Sequence, residues 1–450
     1  MTLRRRCVLG SAWLVLFLIL LDGFAVAVAL DAMRADLRGS TAALEWTMNA
    51  FLLAAAAVLP GGAVLEERFG CRRLSAVGTG VLVAASVACA LAPTVSWLIA
   101  ARAVQGAGAA LTLCAASARL VSVRSPWDQD RRPRRCAAGL GAAFVAAPVV
   151  GGLIVAGPGW RWLFGLNVLA VLAAWAPEPA PVCELRGWAG RLDLERPLLL
   201  VVGVAAIGSG LARGGRAGWS SVGVLVALGI GALALGLFLT WSVPSGARHV
   251  REYVATRAVD LCRYASLAGT MFLLALFFSV RNGDGFPGAG LRLLPWTAAI
   301  AIPSPTLVSG AGGAGFGRRR LVAAGLVMNA FGLGWLMLAA RTALPYRWLF
   351  PALIISGLGI GVSLSATWTA GSDEPDRGPV GASAAAVTAP RLVGGIFGIV
   401  VLGAVFTGQG DFSSSHRFTA GLEPALGADA LLALVGAVAG LAMAEDRTSP

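Results

Sequence analysis

Apolar runs of about 20 residues, each long enough to cross the hydrocarbon core of a bilayer as one helix, recur along this chain. They lie near residues 10–30, 47–65, 75–93, 97–120, 137–157 and 161–177, then 197–212 and 221–243. The last six are 264–280, 289–309, 321–340, 346–370, 380–407 and 427–444. The total is fourteen. Polar, proline-bearing intervals, Glu178–Arg196 and Pro244–Arg263, set off the middle pair. Charged residues supply only 13% of the chain, where a soluble domain carries about 25%, so a water-facing surface is out of reach.

The arginines test this topology. All 36 basic residues are Arg, and the net charge of +13 would point to nucleic acid in a soluble protein. With both termini in the cytoplasm, 24 of them fall in inner segments, nine in outer loops, and three (Arg102, Arg292, Arg391) within spans. That bias is the one that orients membrane proteins, so the charge marks topology and no nucleic-acid partner is expected. The basic cluster Arg124–Arg135 reads the same way, as an inner loop. Arg4–Arg6 ahead of an apolar run imitates a signal peptide, but the many spans that follow make it an uncleaved first span.

Several chemistries find no support. Seven cysteines form no CxxC pair and are expected as free thiols, and with only two histidines no metal site is expected. No nucleophile motif, phosphate-binding loop or triad candidate is present, so the chain is not read as an enzyme. Without a nucleotide site or cofactor, transport would run on an ion gradient.

Charges within apolar runs then stand out. Asp22 lies in LLDGFAVAVAL and Arg102 in LIAARAVQGAGAA, where Gln105 and Gly106 share its helical face. An intramembrane cation needs a partner or a wet cavity. Asp22 approaching or leaving Arg102 would change its proton affinity with conformation; a static pair joining two helices is the alternative. Gln105 and Gly106 fit substrate contact or close helix packing, and Arg391 fits snorkelling or contact with an anionic substrate. Apart from Asp22, no acid is read as lying well inside a span, which leans against dicationic cargo. Short basic turns at matching places, Gly61–Arg73 and Gly310–Arg320, suggest duplicated bundles.

Five patterns come in register: the Asp22 span, GGAVLEERFGCRR in the first inner loop, RAVQGAG, AAFVAAPVVGG, and WRWLFGLNV from Trp160. Together with GLRLLPW and APRLVGGIFGIVVLGAVF they resemble the major facilitator superfamily, in its fourteen-span drug:proton antiporter branch. The resemblance implies an all-α membrane protein with an N-terminal six-helix bundle over 1–177 and two linking helices with polar flanks over 178–263. A C-terminal six-helix bundle follows over 264–450. It implies a monomer in the cytoplasmic membrane that exports small lipophilic drugs or antibiotics in exchange for protons, without a cofactor. A facilitator or metabolite exporter of the same fold is the alternative, as is a membrane sensor that moves nothing. Carried over by position, Asp22 and Arg102 take the proton-coupling places, and Glu67, Arg68, Gly70, Arg72 and Arg73 the gating loop. Ala147, Pro148, Gly151 and Gly152 take the antiport motif, where small residues also serve packing. The chain departs from the family at Asp31, Ala63, Glu67, Cys71 and Ala147, where Pro, Gly, Asp, Arg and Gly are usual.

Overall fold

The computed structural model describes residues 3–122, 132–174, 198–199, 202–203, 205–207, 209–210, 220–241, 250–281, 285–303, 317–342, 344–368, 380–410 and 415–443. Among them are thirteen helices. The first six are α1 (Leu3–Leu37), α2 (Thr41–Phe69), α3 (Cys71–Ala90), α4 (Val95–Ser122), α5 (Arg132–Ala156) and α6 (Arg161–Ala174). Then comes α7 (Val222–Trp241). The last six are α8 (Val250–Arg281), α9 (Gly285–Ala301), α10 (Arg318–Arg341), α11 (Tyr346–Trp368), α12 (Val380–Gln409) and α13 (Ser415–Leu441). Seven of these contain stretches long and apolar enough to cross a membrane. The expected span at 197–212 is described only in short pieces, so the count of fourteen rests partly on residues outside those described.

Local chemistry sets the helix ends. Ser40 caps α2 by accepting the Ala43 N–H on its hydroxyl at 3.3 Å. Gly70 closes the same helix at φ +79°, a left-handed conformation that costs glycine least, and turns directly into α3. One boundary differs from the sequence reading. α8 starts at Val250, where a polar interval was expected up to Arg263. Its first turns are polar, yet Asp260 and Arg263 pair inside the protein, so the helix carries its charge inward.

Six helices precede α7 and six follow it, and they pack as two halves. In the first, α3 and α2 lie against α4; in the second, α10 lies against α11 and α13, and α8 against α12 and α13. The halves meet chiefly where α5 crosses α9 and where α2 crosses α12. α7 turns Leu225, Val226, Ile230 and Leu233 outward, a face suited to lipid.

The core is unequal at the two ends. At the end bearing the α1–α2, α3–α4, α5–α6 and α10–α11 turns, one apolar cluster is continuous across both halves. It joins Ala25 to Met33 of α1 with Leu267 to Phe278 of α8, and takes in Trp160, Phe406 and Phe418. At the end bearing Gly70, the clusters are separate: Leu59, Leu74 and Cys114 in the first half, Val259, Leu326 and Ala437 in the second. Among the described residues, the shared core seals the first end and breaks into smaller clusters towards the other, one of which joins Ala56 of α2 to Val393 and Ile396 of α12. Cys89, Cys114 and Cys262 are buried free thiols, as expected, but Cys71 is disulfide-bonded, against the expectation.

Candidate functional site: a buried acid and its arginine

α1 and α4 bring Asp22 and Arg102 together from 80 positions apart. Arg102 Nη1 reaches Asp22 Oδ2 at 2.5 Å, with the two side chains 1% and 4% exposed. Such a pair would be costly if either charge were left alone, and both are satisfied further. Arg102 donates from Nε to the Thr47 carbonyl oxygen at 3.2 Å, and from Nη1 to Gln105 Oε1 at 2.7 Å. Its guanidinium also lies over the rings of Phe51, at 4.4 Å, and Phe164, at 5.8 Å. The other carboxylate oxygen of Asp22 accepts from Asn167 Nδ2 on α6 at 2.5 Å. Gln105 completes the network by donating to Ser86 Oγ on α3, at 2.9 Å. Five helices, α1, α2, α3, α4 and α6, thus share one buried polar knot in which the carboxylate is purely an acceptor.

The motif residues around the knot act as spacers. A Cβ on Gly106 would sit 2.1 Å from the Phe51 carbonyl oxygen, so only glycine lets α4 lie this close to α2. On α5, Gly151 backs onto Ala25 of α1, while the Pro148 carbonyl would stand 2.3 Å from a Cβ on Gly290 of α9. The Ala147–Gly152 stretch therefore packs one half's first helix on one side and the other half on the other.

The sequence pattern of the Major Facilitator Superfamily matches residues 12–399 of the chain. The chain belongs to that superfamily. It is 31% identical over 411 residues to the methylenomycin A resistance protein of Streptomyces coelicolor, covering 87% of this chain and 84% of that one. It is 30% identical over 414 residues to the multidrug resistance protein Stp of Mycobacterium tuberculosis, covering 87% and 74%. Its fold superposes on an auto-inhibited POT-family peptide transporter with a TM-score of 0.68 at 15% identity, over 100% of this chain and 99% of that one.

Within this superfamily fold, the remaining sequence candidates fall unevenly. Gln105 is fully buried with both ends of its amide engaged, and Gly106 is pressed on α2, so both serve the knot and its packing. In the loop motif, Arg68, Arg72 and Arg73 are exposed around Gly70, with Arg68 over the Phe69 ring at 5.6 Å. Glu67 lies on α2, but its side chain is outside the described residues, and Glu66 is the acid that is buried. Arg391 is 21% exposed on α12 and lies 3.9 Å from Asp260 and 5.6 Å from the centre of the Tyr264 ring. Arg292 lies over Tyr346 at 5.4 Å.

Sequence reasoning passed over three groups. Asn167 stands in the WRWLFGLNV motif already quoted, where an amide in an apolar run was the available signal. The Asp260–Arg263 pair, three residues apart on α8, sends Arg263 Nη1 to the Ser363 carbonyl at 2.8 Å and to Thr367 Oγ1 at 2.7 Å. Asp429, on α13, is wholly buried. These acids overturn the reading of Asp22 as alone inside the spans, and with it the argument against dicationic cargo. An apolar run follows Asp429 and masks it, while Asp260 and Arg263 fell in a stretch that reads as a polar interval.

Proposed function

We propose that this protein exports lipophilic drugs or antibiotics from the cytoplasm in exchange for protons, by alternating access across the cytoplasmic membrane. The names of its relatives, which concern antibiotic and multidrug resistance, support the cargo class. The single observation that carries the coupling is the buried Asp22 carboxylate held between Arg102 and Asn167. The arginine bias puts both termini inside, which makes the sealed end the outer one and this conformation inward-facing. In it, Asp22 accepts two charge-assisted or amide hydrogen bonds, from Arg102 and Asn167. It has, on this reading, already given its proton to the cytoplasm. Leu21 and Ala25, its neighbours on α1, belong to the outer seal, so opening that seal brings external water towards Asp22. Protonation there neutralises the acid, loosens its hold on Arg102, and readies the protein to close outside again. The working unit is a monomer, since both halves that rock come from one chain.

The test begins with a resistance screen of expressing cells against varied antibiotics and dyes. A compound so found is then followed into everted membrane vesicles under an imposed pH gradient. Asp22→Asn is expected to keep the protein in the membrane and to abolish gradient-driven accumulation. Undiminished gradient-driven transport by Asp22→Asn would end the proton-coupling assignment.

A further inference from the structure

The second half contains its own buried polar network, built on the helices that correspond in order to those of the first. α1, α2, α3, α4 and α6 make the Asp22 knot; α8, α9, α10, α11 and α13 occupy the same places in the second set of six. Thr270 of α8 donates to Asp429 Oδ2 of α13 at 2.5 Å. One turn earlier, Ser266 accepts from Asn329 Nδ2 of α10 at 2.9 Å. Asn329 Oδ1 in turn accepts from Ser356 Oγ of α11 at 2.7 Å, and Ser356 accepts from the Trp296 indole N–H at 3.1 Å. An indole N–H only donates, so it fixes the direction of the chain that starts from it.

One feature of the first network has no counterpart. Asp22 has an arginine; Asp429 has only neutral partners among the described residues, the hydroxyls of Thr270 and Ser266. The charged and titratable groups described on the packed helices are placed elsewhere, and the Cys262 thiol of α8 faces Gly436, two turns beyond Asp429 on α13. On α8, Asp260 and Arg263 hold each other, Tyr264 faces Arg263 and Arg391, and Arg251, Glu252, Arg257 and Arg281 lie towards the helix ends. α12 contributes Arg391, directed at Asp260. α10 carries Arg318, Arg319, Arg320 and Arg341 at its ends, and α13 itself has His416, Arg417 and Glu423 in its first turns. A lone carboxylate with no exposed surface and no cation would pay the full cost of an unpaired buried charge. Taking one proton from water removes that charge.

We propose that Asp429 is a second proton-binding site, occupied in this inward-facing conformation while Asp22 is empty. The proton resides on the carboxyl, with Thr270 donating to the other oxygen, and it is exchanged with water when α8 and α13 part. The proposal extends proton coupling to the other half, yet binding can be read without any transport.

Infrared spectroscopy of the purified protein in liposomes at neutral pH is the test. A carbonyl stretch of a protonated carboxyl is expected in the unaltered chain, retained in Asp22→Asn and lost in Asp429→Asn. Thr270→Val, which keeps the carboxyl but removes its hydrogen-bond donor, is expected to shift the same band, and covers the case in which Asp429→Asn fails to fold. Absence of the band, or a band indifferent to both Asp429→Asn and Thr270→Val, overturns the proposal. Failure of Asp22-dependent efflux would instead strike the proposed function and leave the band untouched.

Discussion

The two halves solve the same problem, an acid in an apolar bundle, in opposite ways. In the first, the acid is on α1 and receives an amide from α6; in the second, it is on α13 and receives a hydroxyl from α8. The acid has therefore changed places within the equivalent pair of helices. The first half balances its charge with Arg102, whereas around Asp429 the described residues of the second offer hydroxyl, amide and indole groups. Two carboxylates so placed answer differently to the same change in water access. On the proposed mechanism, one is released from a cation when its surroundings open, and the other gains the solvent that permits charge.

Removing the cation is the harshest way to break this contrast. Arg102→Met leaves Asp22 buried without its cation, with an expected loss of about 3–5 kcal/mol of stability, the range for half of a buried ion pair. Adding Asp22→Asn to Arg102→Met is expected to restore much of it, because the stranded charge has gone. Thermal unfolding in detergent measures both, and a double variant no better than the single one would mean that the charge is not what costs. No comparable penalty is expected for Asp429→Asn, since Asn resembles the neutral acid in shape.

Packing between the halves supplies the next test. Gly290→Ala would place a methyl 2.3 Å from the Pro148 carbonyl, and the backbone cannot retreat as a side-chain tip can. Overpacking of this kind costs about 1–3 kcal/mol. Because α5 and α9 belong to different halves, the strain is expected to change the balance of inward- and outward-facing forms as well as stability. Protease accessibility of the Gly70 turn would report that balance, and an unchanged cleavage rate would confine the effect to stability.

The two amides sharpen the comparison further. Asn167→Ala removes a hydrogen bond to a charged group, worth about 1.5–3 kcal/mol, while Asn329→Ala breaks two bonds between neutral groups at about 1 kcal/mol each. On this account Asn167→Ala disturbs Asp22-dependent transport, whereas Asn329→Ala disturbs stability with the Asp22 step intact. Equal effects on transport would show that the two networks act as one.

How far the chain announced all this depends on which half is considered. Asp22 and Arg102 were visible because each is a charge in a run where charge is costly, and the motifs around them added register. The partnership itself needed the fold, since a separation of 80 residues has no local signature. Asn167 was hidden because a neutral amide in an apolar run lacks the cost that makes a buried charge stand out. Asp260 and Arg263 were taken for an interhelical loop, since polar residues at the start of a helix look like one until their burial is known. Asp429 was hidden by LLALVGAVAG, which follows it and dominates any window that contains it. The seal at one end was illegible for a related reason: alanines, leucines and phenylalanines lining a closed interface read like those facing lipid.

The smallest expected effect lies at the sealed end and concerns the first half alone. Asp36, in the last turn of α1, pairs with Arg161 and accepts from the Trp160 indole at 3.1 Å, and Arg161 stacks over Trp160 at 4.3 Å. The hydrogen bond from Arg161 holds the Asp36 carboxyl below the usual carboxylate range. A lowered folded value means that the contribution is complete above the range of the unfolded acid and is lost as pH falls through the folded one. The side chains are 43% and 47% exposed, so water and salt screen the pair, which is worth at most about 1 kcal/mol. Asp36→Asn is therefore expected to lower the unfolding temperature slightly at neutral pH and not at all in strong acid. Added salt should shrink the difference. If Asp36→Asn instead abolished transport, the outer clasp would rank with the buried knot, and the division of labour between seal and acid would have to be redrawn.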